Sequence, residues 1–252
     1  MSLPWPAVSA ARPGRDGLWS RRLLSLVAGG AVAAVAAGAL LPMTASDLDD
    51  VRGAVWVATA VHLAQQHWRP RRTGRLAWCA RVAGRHGTEP GLVARRSPAG
   101  WVGLVAGVVV GTTLSVGTIS ILPNHWAWVG AARPVLLAVV ALGLGRVAYR
   151  EVRFTGRLAL TASGIRQGRR WYGWTNIDRV GLHRRDGRVD GVRLRQIVRE
   201  PLEPAPVIGG RSVAVSDERL LAAIEHLRPR PEVLAVGLPV SPPEPAVRPA
   251  GG

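Results

Sequence analysis

The chain has 252 residues, 48% of them hydrophobic, yet its 33 basic against 16 acidic residues leave a net charge of +17. One evenly mixed globule does not combine those properties, so apolar and cationic residues must be segregated along the chain. The single cysteine, Cys79, excludes an intrachain disulfide framework and a cysteine-based metal site.

Every basic residue is arginine; lysine is absent. Coding bias accounts for that choice, and so would selection for phosphate or headgroup binding, because the guanidinium fork matches phosphate geometry.

The first 22 residues carry Arg12, Arg15, Arg21 and Arg22. Leu23 to Leu41, "LLSLVAGGAVAAVAAGALL", is uncharged and long enough for a membrane helix. A cleaved signal peptide is the rival reading of residues 1–45, but this apolar stretch is longer than the usual h-region. Gly30, Ala34 and Gly38 recur every four residues, a spacing that lets helix backbones approach closely.

The next loop, "PMTASDLDD", holds Asp47, Asp49 and Asp50 and no arginine. Val51 to Trp68, "VRGAVWVATAVHLAQQHW", is short and ends in polar groups, so hydropathy alone leaves it undecided. Arginine placement favours a crossing. Residues 69–100 contain Arg69, Arg71, Arg72, Arg75, Arg81, Arg85, Arg95 and Arg96, and the positive-inside rule keeps such a connector on the cytoplasmic side. Within it, Leu76, Ala77, Ala80 and Ala83 share one helical face. The segment is read either as an interfacial amphipathic helix on anionic lipid or as an ordinary loop.

Trp101 to Leu122 is the next span and Val129 to Tyr149 the last, with Pro134 placed near its start, where proline does least damage. Gly103, Gly107 and Gly111 form a second small-residue stripe, suited to packing within one bundle or against a second copy. Trp19, Trp68, Trp101, Trp126 and Trp128 fall at or just beyond proposed helix ends, where an aromatic belt belongs.

After Tyr149 the period changes to two. Residues 157–163, 165–174 (broken by Gly168), 177–185 and 188–197 read as strands, and Asp186-Gly187 is a hairpin signal. A proline-bearing loop leads to a short strand, "RSVAV". Ser216 or Asp217 then caps a helix over 217–228 with Leu220, Leu221, Ile224 and Leu227 on its apolar face. Residues 231–252 are rich in proline and read as a disordered tail.

The expected architecture is a membrane α-helical bundle of about four spans (23–41, 51–68, 101–122 and 129–149). A small α+β cytoplasmic domain over 151–230 follows, a bent antiparallel sheet capped by its C-terminal helix. The segments "LALTASGI", "RRWYGWTNIDRVGL", "GRVDGVRLR" and "SVAVSDERLLAAIEHLR" resemble the bacterial pleckstrin-homology-like domains attached to membrane helices, of the low-molecular-weight-antigen type. The resemblance covers about residues 153–230, and the proline-rich stretch 196–212 departs from it. It implies a PH-like fold and a binding module, and it brings no catalytic constellation.

The functional expectation is a non-catalytic, multi-pass plasma-membrane protein with both termini cytoplasmic. Its PH-like domain would bind a lipid headgroup or a protein partner. Arg150, Arg153, Arg157, Arg166, Arg169 and Arg170 are the candidates for an anionic headgroup, with Arg146 just before them. A membrane enzyme or transport component is the alternative, with Asp47, Asp49 and Asp50 or His62 and His67 as its chemistry. No metal or cofactor is expected: the histidines lack metal-ligand spacing and the glycines lack a phosphate-loop context. Nucleic acid is not expected as a partner, because the charge follows membrane topology rather than one face.

Overall fold

A computed structural model describes residues 19–68, 70–83, 87–122, 126–153, 156–185, 187–198 and 204–236. Most of the basic amino terminus, Asp186 of the hairpin signal and the tail beyond 236 lie outside the described residues.

Four long helices form among the described residues: α1 (Trp19–Leu40), α2 (Ala45–His67), α3 (Pro98–Ser120) and α4 (Ala127–Arg153). Among the described residues, three stretches are long and apolar enough to cross a membrane. They are Trp19–Leu40, Pro98–Ser120 and Trp128–Arg153, with mean hydropathies of 2.1, 1.9 and 1.7. Local chemistry sets their ends. The Thr44 side chain accepts from the Asp47 backbone, and the Asp47 carboxylate accepts from the Thr44 N–H at 2.8 Å, a reciprocal cap that starts α2. Ser97 accepts from the Gly100 N–H at 2.9 Å, and Pro98 follows in the first turn of α3. Pro134 lies inside α4 rather than near its start, because the helix begins at Ala127.

α1 packs along α4 and α2 along α3. Both pairs are antiparallel: Arg21 Nε donates to Val152 O at 3.3 Å across the first pair, and Gln65 lies beside Gly103 in the second. Glycine sets the α1–α4 distance. A Cβ on Gly145 would sit 2.5 Å from Gly29 O and 2.7 Å from Ala33 Cβ. Neither stripe read from the sequence does this. Gly30, Gly38 and Gly111 face open space, while a Cβ on Gly103 or Gly107 would meet only side-chain atoms, at 3.5 Å or more.

The starts of α1 and α3 and the ends of α2 and α4 thus gather at one end, where two antiparallel sheets sit. The first has the order β1 (Ala77–Ala83), β2 (Thr88–Ala94), β3 (Leu158–Thr161), β4 (Gly164–Gln167), β5 (Arg170–Gly173). The second has the order β6 (Ile177–Arg185), β7 (Arg188–Gln196), β8 (Val207–Ile208). Helix α5 (Asp217–Leu227) closes the core, its first turn capped by Ser216. Leu160, Ile165, Trp174, Leu194, Ile208 and Ile224 fill that core, and Trp174 Nε1 donates to Thr161 O at 2.7 Å.

Several expectations need correction. The connector 69–100 is neither an amphipathic helix nor a loop: it supplies β1 and β2, and β2 pairs with β3 through Leu92↔Leu160 and Val93↔Ala159. The sheet unit therefore does not begin at 151; α3 and α4 are inserted between its second and third strands. The break expected at Gly168 in 165–174 is a full hairpin turn, with φ of +59°, so the segment supplies two paired strands, β4 and β5. The expected strand "RSVAV" gives only single bridges, Val213 to Arg96 and Val215 to Gly74, and the pairing strand is β8, within the proline-bearing loop. Residues 231–236 form a 3-10 turn that lays Leu234 into the core, so the order of the chain extends past 230.

Asp217 ties these distant pieces together. It is fully buried and its carboxylate accepts both terminal nitrogens of Arg72, the Gly191 N–H at 3.1 Å and the Gly210 N–H at 3.0 Å. Its hydrogen bond to Arg72 is the first cause that raises the arginine's pKa further above its usual value, against the opposing effect of burial. Glycine is required at position 209, where φ is +81° and a Cβ would lie 2.7 Å from Leu220 Cδ2.

Candidate anion-binding site

Where β2 ends and α3 begins, the chain passes directly from Ala94 through Arg95 and Arg96 to the Ser97 cap. The opposite wall is the last turn of α4 and the start of β3. Between them lies a pocket of about 290 Å³ lined by Arg95, Arg96, Trp101, Arg150, Glu151 and Arg157, with Gly156 and Gly168 beside them.

Arg96 is held from three sides. Its Nη2 donates to Glu151 Oε2 at 2.6 Å and its Nη1 to Gly100 O at 2.9 Å, while the guanidinium lies 5.2 Å from the Trp101 ring centroid. Burial lowers its pKa; Glu151 opposes that, and Arg157 adds to it. Arg157 is anchored by its backbone, N–H to Ala94 O at 3.0 Å and O from the Gly168 N–H at 3.0 Å. Its Nε is buried and has no hydrogen-bond partner among the described residues. Gly156 permits this approach: at φ of +68° a Cβ would lie 2.1 Å from Val93 Cγ1.

The electrostatic balance is plain. Four guanidinium groups and one carboxylate line the pocket, and that carboxylate is already paired with Arg96. Such a site attracts an anion of phosphate or carboxylate type, and Arg95, Arg150 and Arg157 have donors to give it.

The six arginines expected at a headgroup site do not come together. Arg150 and Arg157 line the pocket. Arg153 ends α4, half-buried. Arg166 is 3% exposed on β4, and burial, then the nearby Arg21, lowers its pKa to about 10. Arg169 and Arg170 are exposed at the turn between β4 and β5. Sequence reasoning missed Arg95, Arg96 and Glu151 as site residues, and treated Trp101 only as a belt residue. The Arg-Arg-Ser-Pro run, basic residues immediately before a helix cap, was the available signal.

The two residue sets of the catalytic alternative lie toward opposite ends of α2. Asp47 is engaged in the α2 cap, and hydrogen bonds from Thr44 lower its pKa. His62 Nδ1 faces Gln65 Nε2 at 3.4 Å and His67 Nδ1 faces Leu63 O at 3.3 Å, near the other end of α2. Among the described residues, no group of three or more His, Cys, Asp or Glu could hold a metal ion. Comparison with protein-family models, with curated proteins and with solved structures finds no match for this chain.

Proposed function

We propose that this chain is a non-catalytic, four-span plasma-membrane protein whose sheet unit lies on the cytoplasmic face and captures the anionic headgroup of a lipid. The arginine pocket at the junction of sheet and helices carries the reading. A membrane protein that needs a phosphate held at headgroup depth would place guanidinium groups where helices enter and leave the bilayer.

Three observations support the topology. Arg71, Arg72, Arg75, Arg81, Arg95 and Arg96 lie at the sheet end, while Asp47, Asp49 and Asp50 lie at the opposite end of α2. On α2, Trp56, Val57, Val61 and Leu63 are exposed beside α3, an apolar surface that water would penalise and lipid would accept. Trp19, Trp68 and Trp101 are exposed at the sheet end, and Trp126 and Trp128 at the other, forming two aromatic levels. The PH-like assignment rests on two antiparallel sheets closed by a C-terminal helix, with α3 and α4 as an insertion.

The test uses the full chain in nanodiscs, with retained lipids counted by native mass spectrometry. Phosphatidylglycerol should be retained over phosphatidylcholine. Combining Arg95→Gln, Arg150→Gln and Arg157→Gln removes three charges, each contributing about 1 kcal/mol near a membrane surface. The preference should fall roughly 100-fold, since about 1.4 kcal/mol is a factor of ten. No headgroup preference in the unaltered chain, or an unchanged one in the triple variant, would refute the reading.

A further inference from the structure

Beyond its headgroup, a lipid bound at this pocket has hydrocarbon to place, and a second cavity offers a seat. An apolar groove of about 600 Å³ runs between α2 and α3. Ala54, Ala58 and Val61 line it from α2, and Val102, Ala106 and Val109 from α3. Trp101 belongs to both cavities: it lines the groove and also the arginine pocket. At the far end, Thr113 donates its hydroxyl back to Val109 O at 3.0 Å and Val110 O at 3.1 Å, leaving no polar claim on the groove.

The dimensions suit one hydrocarbon chain. Trp101 to Thr113 spans about 18 Å at 1.5 Å per residue. A single leaflet is about 15 Å of the roughly 30 Å hydrocarbon layer. The groove therefore starts at the headgroup level and ends near the bilayer centre. Alanines at 54, 58 and 106 form a trough, and the exposed Val57, Val61 and Val105 stand along it.

We propose that a single anionic lipid is held at two points, its phosphate among Arg95, Arg150 and Arg157 and one acyl chain in the α2–α3 groove, with Trp101 between them. This rests on the headgroup reading above and adds the tail seat and the ligand class, an amphiphile whose phosphate headgroup carries a net negative charge. A second copy of the chain fits the groove less well, since its own arginines would meet these at the same depth. A neutral hydrocarbon would leave the arginine pocket unsatisfied.

The experiment places the full chain in phosphatidylcholine nanodiscs doped with phosphatidylglycerol carrying a photoreactive diazirine at mid-chain, followed by peptide mapping. Label should concentrate severalfold on residues 54–61 and 101–113 over the lipid-facing parts of α1 and α4. The same diazirine on phosphatidylcholine should label all four helices evenly. Ala58→Trp with Ala106→Trp should fill the trough and return the anionic probe to an even pattern while headgroup preference persists. The headgroup comparison needs no variant, so it stands even where the double substitution fails to fold. Even labelling by the anionic probe, with headgroup preference intact, overturns the two-point seat and spares the headgroup reading. Loss of both overturns the headgroup reading first. Chain-to-chain crosslinks in place of lipid label also overturn the proposal.

Discussion

Asp217→Ala should be the most damaging single change in the sheet unit. The carboxylate is completely buried and receives two bonds from Arg72 and one each from the Gly191 and Gly210 backbones. Removing one member of a buried ion pair costs about 3–5 kcal/mol. The two backbone N–H groups also lose their acceptor, at about 1–3 kcal/mol each. Arg72 recovers part of this, because it keeps Gly210 O at 2.9 Å and its side chain is 18% exposed. The contributions overlap, so about 5 kcal/mol is expected, against the roughly 5–15 kcal/mol that holds a typical domain together. The assay is denaturant titration of the full chain in detergent micelles, followed by tryptophan fluorescence, with Asp178→Ala as control. Asp178 is 45% exposed and lies 3.7 Å from Arg195 and 3.8 Å from Arg179. An exposed pair of that kind contributes about 0–1 kcal/mol. If Asp217→Ala cost less than about 1 kcal/mol, or no more than the control, the claim that one carboxylate joins the connector to the C-terminal helix would fail.

Gly145→Ala forces a methyl group into Gly29 O and Ala33, so α1 and α4 must separate, at about 1–3 kcal/mol for overpacking. Gly30→Ala and Gly111→Ala face open space and should leave thermal stability in micelles unchanged; equal losses at all three positions would contradict the packing described. Arg166→Met removes a charge from a site where it is disfavoured. Burial lowers its pKa well below the ordinary arginine range, to about 10, which amounts to a few kcal/mol, so the variant should be at least as stable as the parent. The sign for pH follows. Above about pH 10 the unfolded chain holds more protons at this residue than the folded one, so its contribution to stability rises with pH there and Arg166→Met abolishes the rise. A clear loss of stability in Arg166→Met would show that the contacts of the guanidinium outweigh its desolvation.

The sequence by itself determined the features that depend on neighbouring residues. The apolar spans at 23–41, 101–122 and 129–149 are visible because length and hydropathy are properties of one continuous segment, and α1, α3 and α4 occupy them. The same holds for the Ser216 cap and apolar face of α5, and for the β6–β7 pair, where alternation on both sides of Gly187 sets the register Arg185↔Arg188.

Tertiary structure decided what depends on residues far apart in the chain. In β1, Ala77, Ala80 and Ala83 follow a helical rather than an extended period, and what makes the segment a strand is β2, itself paired with β3 across the inserted helices. Likewise Gly145 matters because Gly29 lies opposite it, not because of any spacing within its own helix. Arg95 and Arg96 looked like topology markers until the fold set them against Arg150 and Arg157. A pattern of residues specifies local conformation through short-range sterics and capping. A pocket exists only once the core has fixed which distant surfaces face each other.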